Sequence, residues 1–356
     1  MRVVVTAGGT GGHIYPALAI IHKIEKLYPG SEFLYIGTHN RMEKDIIPSF
    51  GIEYKSIEIY GLNRKNIFKN FKVVNCFFKS LKSIKKYLKE FNPDVVIGAG
   101  GYVTGPVIYM ASSLGYKTFI HEQNSIPGKA NKFLSKYVTK IGVSFESSIK
   151  YFPKEKTVFT GNPCSEEALE KQEIKKSKYG ILDTRKLVLF VMGSLGSVKM
   201  NNFLVDFMSK VKNKNYDVLF VTGKNYYEEM SKKSFPKNVH VTPYIENMPG
   251  LLKNVDVIVS RAGASTLSEI ISLKVPSILI PSPYVTDNHQ YKNALDLVNK
   301  NAAYMIEEKD LNKETLLSFI DKAIENSDTL KNNLTSLQVL DSASRIVSII
   351  SSMVGE

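Results

Sequence analysis

Short runs of consecutive apolar residues recur along the chain, separated by longer stretches in which apolar residues fall three or four apart. The short runs predict strands at 2–6, 32–36, 94–98, 117–120, 140–143 and 157–159, and then at 186–192, 217–222, 239–241, 256–259, 276–280 and 303–306. The intervening stretches have the period of helices. Strand–helix alternation of this kind predicts parallel sheets with helices on both faces, an α/β fold.

The pattern is written twice. Asn92-Pro93-Asp94-Val95-Val96-Ile97-Gly98 is echoed by Asn254-Val255-Asp256-Val257-Ile258-Val259-Ser260, and a turn of small residues follows each. Each half also opens on a strand that runs into glycines, Val3 to Ala7 into Gly8-Gly9-Thr10-Gly11-Gly12, and Leu187 to Val191 into Met192-Gly193-Ser194-Leu195-Gly196. Two Rossmann-like domains are therefore expected, joined near Gly161-Asn162-Pro163, where glycine and proline interrupt regular structure. The 356 residues suit two cores of about 150–180 residues each. Ligands in such folds sit beyond the carboxyl ends of the strands, so an active cleft with one wall from each domain is expected. The stretch from about Asp341 to Met353 has helical periodicity that fits either the end of the second domain or a return to the first.

The first glycine turn carries the clearest chemistry. Four glycines in five residues let the backbone turn sharply and approach a ligand closely. The run from Ile14 to Leu27 predicts a helix, so the turn ends at a helix N-terminus, a site for an anion and most often a phosphate. His13 is the first residue there able to exchange a proton near neutral pH. The turn is not a dinucleotide fingerprint. A G-x-G-x-x-G frame from Gly9 and Gly11 meets Ile14 where the third glycine belongs, and strand 32–36 runs into Gly37-Thr38-His39-Asn40 with no acid for an adenosine ribose. No Gly-Lys-Ser/Thr follows it, which also excludes a Walker A loop. A purely structural turn is the plain alternative.

Further polar clusters fall at strand ends. Gly100-Gly101-Tyr102-Val103-Thr104-Gly105-Pro106 forms a second glycine-rich turn, expected on the same wall as the first and facing a phosphorylated ligand. His121-Glu122-Gln123-Asn124 ends strand 117–120, with His121 either at the site or a satisfied structural histidine. In the second half, Arg261-Ala262-Gly263-Ala264-Ser265-Thr266-Leu267-Ser268-Glu269 leaves room for a ligand. Ser265 or Thr266 is predicted to cap the following helix, whose N–H groups face a diphosphate. Glu269 then accepts from a ribose diol or simply favours the helix dipole. Asp287-Asn288-His289-Gln290 suits sugar hydroxyls, or a solvated loop. The chain contains no Asp-x-Asp triplet, so helix N-termini and cationic side chains are expected to neutralise the diphosphate, with no metal and no cofactor.

Charge adds a partner. The net charge is +13 and uneven, with nine Lys or Arg and a single acid between Gly61 and Glu90. Ile67, Phe71, Val74, Phe78, Leu81, Ile84 and Leu88 fall at helical spacing and are predicted to share one face, widened by Phe68 and Phe77. Lysines 65, 69, 72, 79, 82, 85, 86 and 89 crowd the remaining surface. Aromatic residues flanked by lysines predict a helix lying on an anionic membrane surface, with part of its apolar face packed inward. Nucleic acid is not an expected partner, since neither a strand-borne stacking platform nor a recognition helix is present. No stretch approaches the roughly 20 apolar residues that span a bilayer, and the first residues do not have the pattern of a signal peptide. Cys76 and Cys164 match no metal or redox spacing, which predicts free thiols in a reducing compartment.

Together these motifs resemble the MurG family of bacterial N-acetylglucosaminyltransferases. The resemblance runs through Gly8 to Ala19, Gly100 to Pro106, His121 to Asn124, Thr160 to Pro163, Arg261 to Glu269 and Asp287 to Ala294, in order, over residues 1 to about 350. It implies a GT-B fold, with residues 1–161 plus about 341–356 forming an acceptor-binding, membrane-facing domain and 164–340 a donor-binding one. It implies UDP-N-acetylglucosamine as donor and undecaprenyl-diphospho-N-acetylmuramoyl pentapeptide (lipid I) as acceptor. The product is then lipid II for peptidoglycan, made by a peripheral protein on the cytoplasmic face of the cell membrane. By matched position, Ile245 offers its backbone to the uracil, Ser194 meets the donor phosphates, and Arg261, Ala264 and Thr266 lie near the diphosphate and sugar. Glu269 holds the ribose, His289 and Gln290 the N-acetylglucosamine hydroxyls, and Thr10, Gly11, Gly12 and Asn124 border that sugar. Gly8, Gly9, Tyr102, Thr104, Gly105, His121 and Glu122 belong to the acceptor side. Two departures stand out. Leu195 replaces a frequent glutamine, and Cys164 and Ser165 stand where many relatives have an arginine, Ser165 being its weak replacement.

The implied reaction inverts the anomeric centre, as the acceptor 4-hydroxyl attacks opposite to UDP. It requires a base, with His13 first and His121 and Glu122 weaker candidates. The helix beginning near Ser265 is expected to stabilise the charge growing on the leaving diphosphate. A GT-B glycosyltransferase with another lipid-linked acceptor is the alternative.

Overall fold

The computed structural model describes residues 1–60, 70–193 and 196–355, apart from the side chains of residues 70–74 and 286. The chain divides into two compact units, Met1–Cys164 with Asp341–Glu356, and Ser165–Leu340.

The first unit is built on β1 (Arg2–Thr6), β2 (Glu32–Thr38), β3 (Glu53–Ile57), β4 (Val95–Gly98), β5 (Lys117–Glu122), β6 (Lys140–Val143) and β7 (Thr157–Phe159), in the spatial order β3-β2-β1-β4-β5-β6-β7. The second is built on β8 (Lys186–Val191), β9 (Tyr216–Val221), β10 (Val239–Thr242), β11 (Val257–Ser260), β12 (Ser277–Leu279) and β13 (Tyr304–Met305), in the order β10-β9-β8-β11-β12-β13. All strand pairs among the described residues are parallel, as the hydropathy pattern predicts. The pattern missed β3. Its sequence Glu53-Tyr54-Lys55-Ser56-Ile57 buries only Ile57, because it is an edge strand, and edge strands carry charge that discourages further pairing.

Successive side chains of β1 point to opposite faces of the first sheet. Val3 and Val5 join Ile14, Leu18 and Ile21 on one side, and Val4 joins Ile84, Val107 and Ile108 on the other. The helix Ser342–Val354 belongs to this unit. It lies against the helix Gly11–Leu27 and buries Ile346, Val347 and Ile350 in the same core as Val3. The Ser342 hydroxyl fixes its start by donating to the Asn162 carbonyl at 2.6 Å. In the second unit Val188 and Phe190 pack with Leu204, Phe207, Leu316 and Ile320.

The basic segment forms a helix over Asn70–Phe91. Lys65, Ile67, Phe68 and Lys69 lie outside the described residues, as do the side chains of Phe71, Lys72 and Val74. Ile84 and Leu88 are buried, and Ser80 donates to the Glu58 carbonyl at 2.6 Å. Phe78 does not share this face, as the spacing predicted; it is 63% exposed and touches Phe77 edge-on. Steps of three and four residues drift around a straight helix, and over the ten residues to Leu88 the drift carries Phe78 off the buried stripe. No helix among the described residues is long and apolar enough to cross a membrane.

Candidate functional site

In each sheet the strand order reverses beside the first strand, between β1 and β4 and between β8 and β11. Loops leaving such a switch point diverge and open a crevice at the carboxyl ends of the strands. The glycine turns of the first unit, and the turns holding Gly193 and Arg261 to Ala264 in the second, stand at these two points.

The first helix starts at Gly11, three residues earlier than its apolar period suggests. Thr10 is its extended N-cap, and the Thr10 carbonyl takes the N–H groups of His13 and Ile14 at 3.1 and 3.2 Å. The N–H groups of Gly11 and Gly12, in the opening turn, have no intrahelical acceptor and are placed to meet an anion. The Gly8 N–H donates to the Gly100 carbonyl at 3.2 Å and ties the two glycine turns together. Gly100 has φ +98°, and a Cβ there would stand 2.6 Å from Cδ2 of His13, so only glycine fits. His13 is half-buried, with Nδ1 3.1 Å from the Gly8 carbonyl and 3.5 Å from Thr10 Oγ1. A carbonyl only accepts, so Nδ1 carries the proton and the lone pair lies on Nε2.

Glu43 was not singled out by sequence. It sits among Arg41, Met42, Lys44 and Asp45, a stretch with no apolar period, and yet it is completely buried behind the turn. Its carboxylate accepts from the N–H of Gly9 at 3.1 Å, the N–H of Thr38 at 3.2 Å and the Thr38 hydroxyl at 2.6 Å.

Three predicted acceptor-side residues have inward roles instead. Thr104 is buried and directs its hydroxyl to the Gly100 and Thr6 carbonyls, at 2.7 and 3.2 Å. His121 is buried, with Nε2 3.0 Å from the Gly161 carbonyl and Nδ1 3.2 Å from the Gln123 amide. Burial pushes its imidazole down to about 4, against a weaker opposing effect of the Gly161 bond, so it is neutral at pH 7. The Glu122 carboxylate, 2% exposed, accepts from the Asn124 backbone and amide, the Gly128 N–H and the Asn131 amide at 2.9–3.1 Å. With their polar atoms directed inward, His121 and Glu122 are not placed to take a substrate proton. Tyr102, by contrast, is 75% exposed, and Gly105 is half-buried in the first turn of the helix Thr104–Ser113.

In the second unit the helix Ala264–Leu273 is capped by extended Gly263 and not by Ser265 or Thr266, which fall inside its first turn. The Ser265 hydroxyl is buried there with no hydrogen-bond partner among the described residues. Arg261, expected near the diphosphate, stands in the loop just before this helix and is 9% exposed. Its guanidinium turns inward, Nη1 donating to the Ile280 carbonyl at 3.0 Å and Nη2 to Glu308 at 2.8 Å. The other Glu308 oxygen takes Lys199 at 2.7 Å. This network pins the loop after β11 to the ends of β12 and β13, and Lys199, Asn288, Tyr291 and Glu308 line a cavity of about 170 Å³ beside it. Sequence offered no signal for Glu308, which lies 47 residues from Arg261.

Glu269 lies in the second turn of the same helix. Burial, and then the charge of Glu167, push its carboxyl up to about 8. Ile245 is buried in the segment between β10 and the helix Met248–Leu252. Asp287 and Asn288 are left-handed, with φ of 51° and 52°, and lead into the helix His289–Val298. There the Gln290 side-chain carbonyl takes the Ser282 N–H at 2.9 Å, which directs its amide nitrogen elsewhere, and His289 is half-buried beside it. Ala264 is buried, Thr266 half-buried and Ser165 buried. Ser194 and Leu195 lie outside the described residues. Among the described residues no group of three or more His, Cys, Asp and Glu is placed to hold a metal ion.

Comparison with known proteins gives a consistent picture. Residues 3–143 match the glycosyltransferase family 28 N-terminal domain, and residues 187–347 match the family 28 C-terminal domain. The UDP-N-acetylglucosamine–N-acetylmuramyl-(pentapeptide) pyrophosphoryl-undecaprenol N-acetylglucosamine transferase of Bacillus cytotoxicus is 51% identical over 337 residues, 93% of each chain. The Bacillus subtilis enzyme of the same name is 46% identical over 358 residues, 98% of this chain and 99% of that one. Among solved structures, MurG of Acinetobacter baumannii superposes with a TM-score of 0.79 at 26% identity over 99% of both chains. The calicheamicin glycosyltransferase CalG4, at 12% identity and a TM-score of 0.75, shares the fold.

Proposed function

The chain belongs to glycosyltransferase family 28, and on that premise we propose that it transfers N-acetylglucosamine from UDP-N-acetylglucosamine to lipid I, giving lipid II for peptidoglycan. One observation carries the proposal: identity near one half, over nearly the whole of both chains, to enzymes whose names state that transfer.

The residues supply the chemistry in the following way. The acceptor 4-hydroxyl attacks the anomeric carbon as the bond to the UDP diphosphate breaks, and attack from the opposite face converts an α-linked donor into a β-linked product. The hydroxyl proton passes to Nε2 of His13, which the Gly8 carbonyl keeps available by holding the proton on Nδ1. The acceptor diphosphate meets the N–H groups of Gly11 and Gly12. The leaving diphosphate gains charge at the N-terminus of the helix Ala264–Leu273, a prearranged set of donors. Glu269 holds the ribose diol, His289 and Gln290 hold sugar hydroxyls, and the Ile245 backbone meets the uracil. Arg261 acts at one remove, by fixing the loop that starts that helix. An undecaprenyl-linked acceptor requires contact with a membrane. Phe77 and Phe78, with exposed Lys79, Lys82, Lys85, Lys86 and Lys89, form the surface that meets its anionic face. A soluble nucleotide-sugar donor supports the cytoplasmic side as the one this surface meets.

Incubation with radiolabelled UDP-N-acetylglucosamine and lipid I in vesicles should yield labelled lipid II. Label transferred only to a different lipid-linked sugar would move the assignment to that acceptor. His13→Ala should lower turnover about 10²- to 10⁴-fold while UDP affinity changes little. Turnover within a few-fold of wild type would remove His13 as the base.

A further inference from the structure

Glu43 and His13 contact the two ends of one peptide group. The Gly9 N–H, which donates to Glu43 Oε2 at 3.1 Å, and the Gly8 carbonyl, which accepts from His13 Nδ1 at 3.1 Å, belong to the same Gly8–Gly9 amide. Glu43 is fully buried, and its bonds among the described residues come from neutral donors, namely Gly9 and Thr38. Its charge is therefore not cancelled by a hydrogen-bonded cation. Neighbouring phenols feel it: burial first, and then the Glu43 charge, push Tyr35 and Tyr54 up. Tyr35 in turn donates to the Ala7 carbonyl at 2.8 Å, which fixes the residue before the turn.

An amide is a resonance system. An anion at its N–H end favours the form with negative charge on oxygen, and chains of hydrogen bonds strengthen one another in this way. We propose that Glu43 is a positioning residue for His13, acting through the Gly8–Gly9 peptide, which it both fixes in place and polarises, so that the imidazole is held as the Nδ1–H tautomer with Nε2 as the base. The arrangement does what a carboxylate bonded directly to a catalytic histidine does, with one peptide group interposed. It also accounts for glycine at position 8, because a Cβ there would lie 2.5 Å from Glu43 Oε1. The proposal rests on His13 being the base.

The test uses the full-length protein with ¹⁵N-labelled histidine, the His13 resonances being assigned by their loss in His13→Gln. Wild type should show His13 protonated at Nδ1 at neutral pH. Glu43→Gln, isosteric and able to accept through its one carbonyl oxygen either the two Thr38 bonds or the Gly9 bond, should shift the nitrogen resonances towards a mixture of tautomers and lower kcat about three- to tenfold, with KM for UDP-N-acetylglucosamine little changed. An Nε2–H tautomer in wild type overturns the proposal without any variant. A purely Nδ1–H tautomer in a folded Glu43→Gln protein overturns it as well, while leaving His13 as base untouched. Undiminished turnover in His13→Ala would instead refute the base assignment, and the tautomer measurement would still decide whether Glu43 sets the ring.

Discussion

Glu308 touches no part of the proposed donor, and its removal should nevertheless loosen the donor half. The Arg261 and Glu308 side chains are 10% and 4% exposed, and their bond is 2.8 Å. Glu308→Gln leaves a guanidinium buried against a neutral amide. Breaking a buried pair from one side costs about 3–5 kcal/mol. Glutamine still accepts one hydrogen bond, and the pair lies only just beneath the surface, so about 2 kcal/mol is the better expectation here. Lys199, 66% exposed, simply returns to water, so Lys199→Ala should change stability little. The cost falls on the segments that Arg261 ties together, around Ile280 and Glu308. Hydrogen exchange of the full chain, read by mass spectrometry, should show peptides over 277–282 and 304–311 exchanging about 30-fold faster in Glu308→Gln, since each 1.4 kcal/mol is tenfold. The pH dependence has a definite sign. Burial pushes the Glu308 carboxyl up, but hydrogen bonds from Lys199 and Arg261, and their charges, outweigh it and hold the group below its usual range. A depressed carboxyl stabilises the fold above its unfolded value of about 4.5 and stops doing so as pH falls through the folded value. The difference between wild type and variant should therefore be full at pH 7 and close in acid. Exchange within threefold of wild type at pH 7, or a difference that persists in acid, would refute the ion pair as the support of this loop.

Two further outcomes follow from other sites. Glu269 has its carboxyl raised to about 8, so between about 4.5 and 8 the folded protein holds a proton that the unfolded chain has released, and stability falls as pH rises through that window. Thermal melts of Glu269→Gln and wild type should diverge in favour of the variant as pH is raised from about 5 to about 8.5, and a constant offset would contradict the shift. Replacing Phe77 and Phe78 with serine should weaken binding to anionic vesicles about tenfold or more, with circular dichroism little changed, because Phe78 is 63% exposed and Phe77 37% exposed in the free protein. Unaltered sedimentation with vesicles would place the membrane contact elsewhere.

Much of the framework was legible because its signals are local. Continuous apolar runs marked the strands, and β3 escaped only because an edge strand of alternating polar residues has no such run. The glycine turns were legible for the same reason, since both follow a strand directly. What the sequence does not carry is direction. Thr104, His121, Glu122 and Arg261 are polar residues at strand ends, where ligands bind, and nothing in their spacing distinguishes a side chain aimed at solvent from one folded back onto a carbonyl or a neighbouring loop. Partnership across distance is equally hidden: Glu43 meets Gly9 from 34 residues away, and Glu308 meets Arg261 from 47. The final helix shows the same limit from another side. Its period was clear, and only the surface left by the helix Gly11–Leu27 decides where Ile346 and Ile350 are buried.

Both units back their turns with buried charge, Glu43 beneath Gly9 and the Arg261–Glu308 pair behind Gly263. Buried ions are a poor means of stabilising a fold, since apolar residues of similar volume commonly do as well or better. Their presence under both turns has a sounder reason in what the turns must do. A backbone N–H stabilises a growing negative charge only if it is already aimed, because reorienting it during the reaction costs the energy it should supply. Glycines make the close approach possible and, by the same freedom, leave the backbone unaimed. A buried carboxylate or guanidinium removes that freedom with short, directional bonds, without adding a side chain where the ligand must lie. Much of the sensitivity to mutation should accordingly lie one layer behind the glycines, in residues that need never touch either substrate.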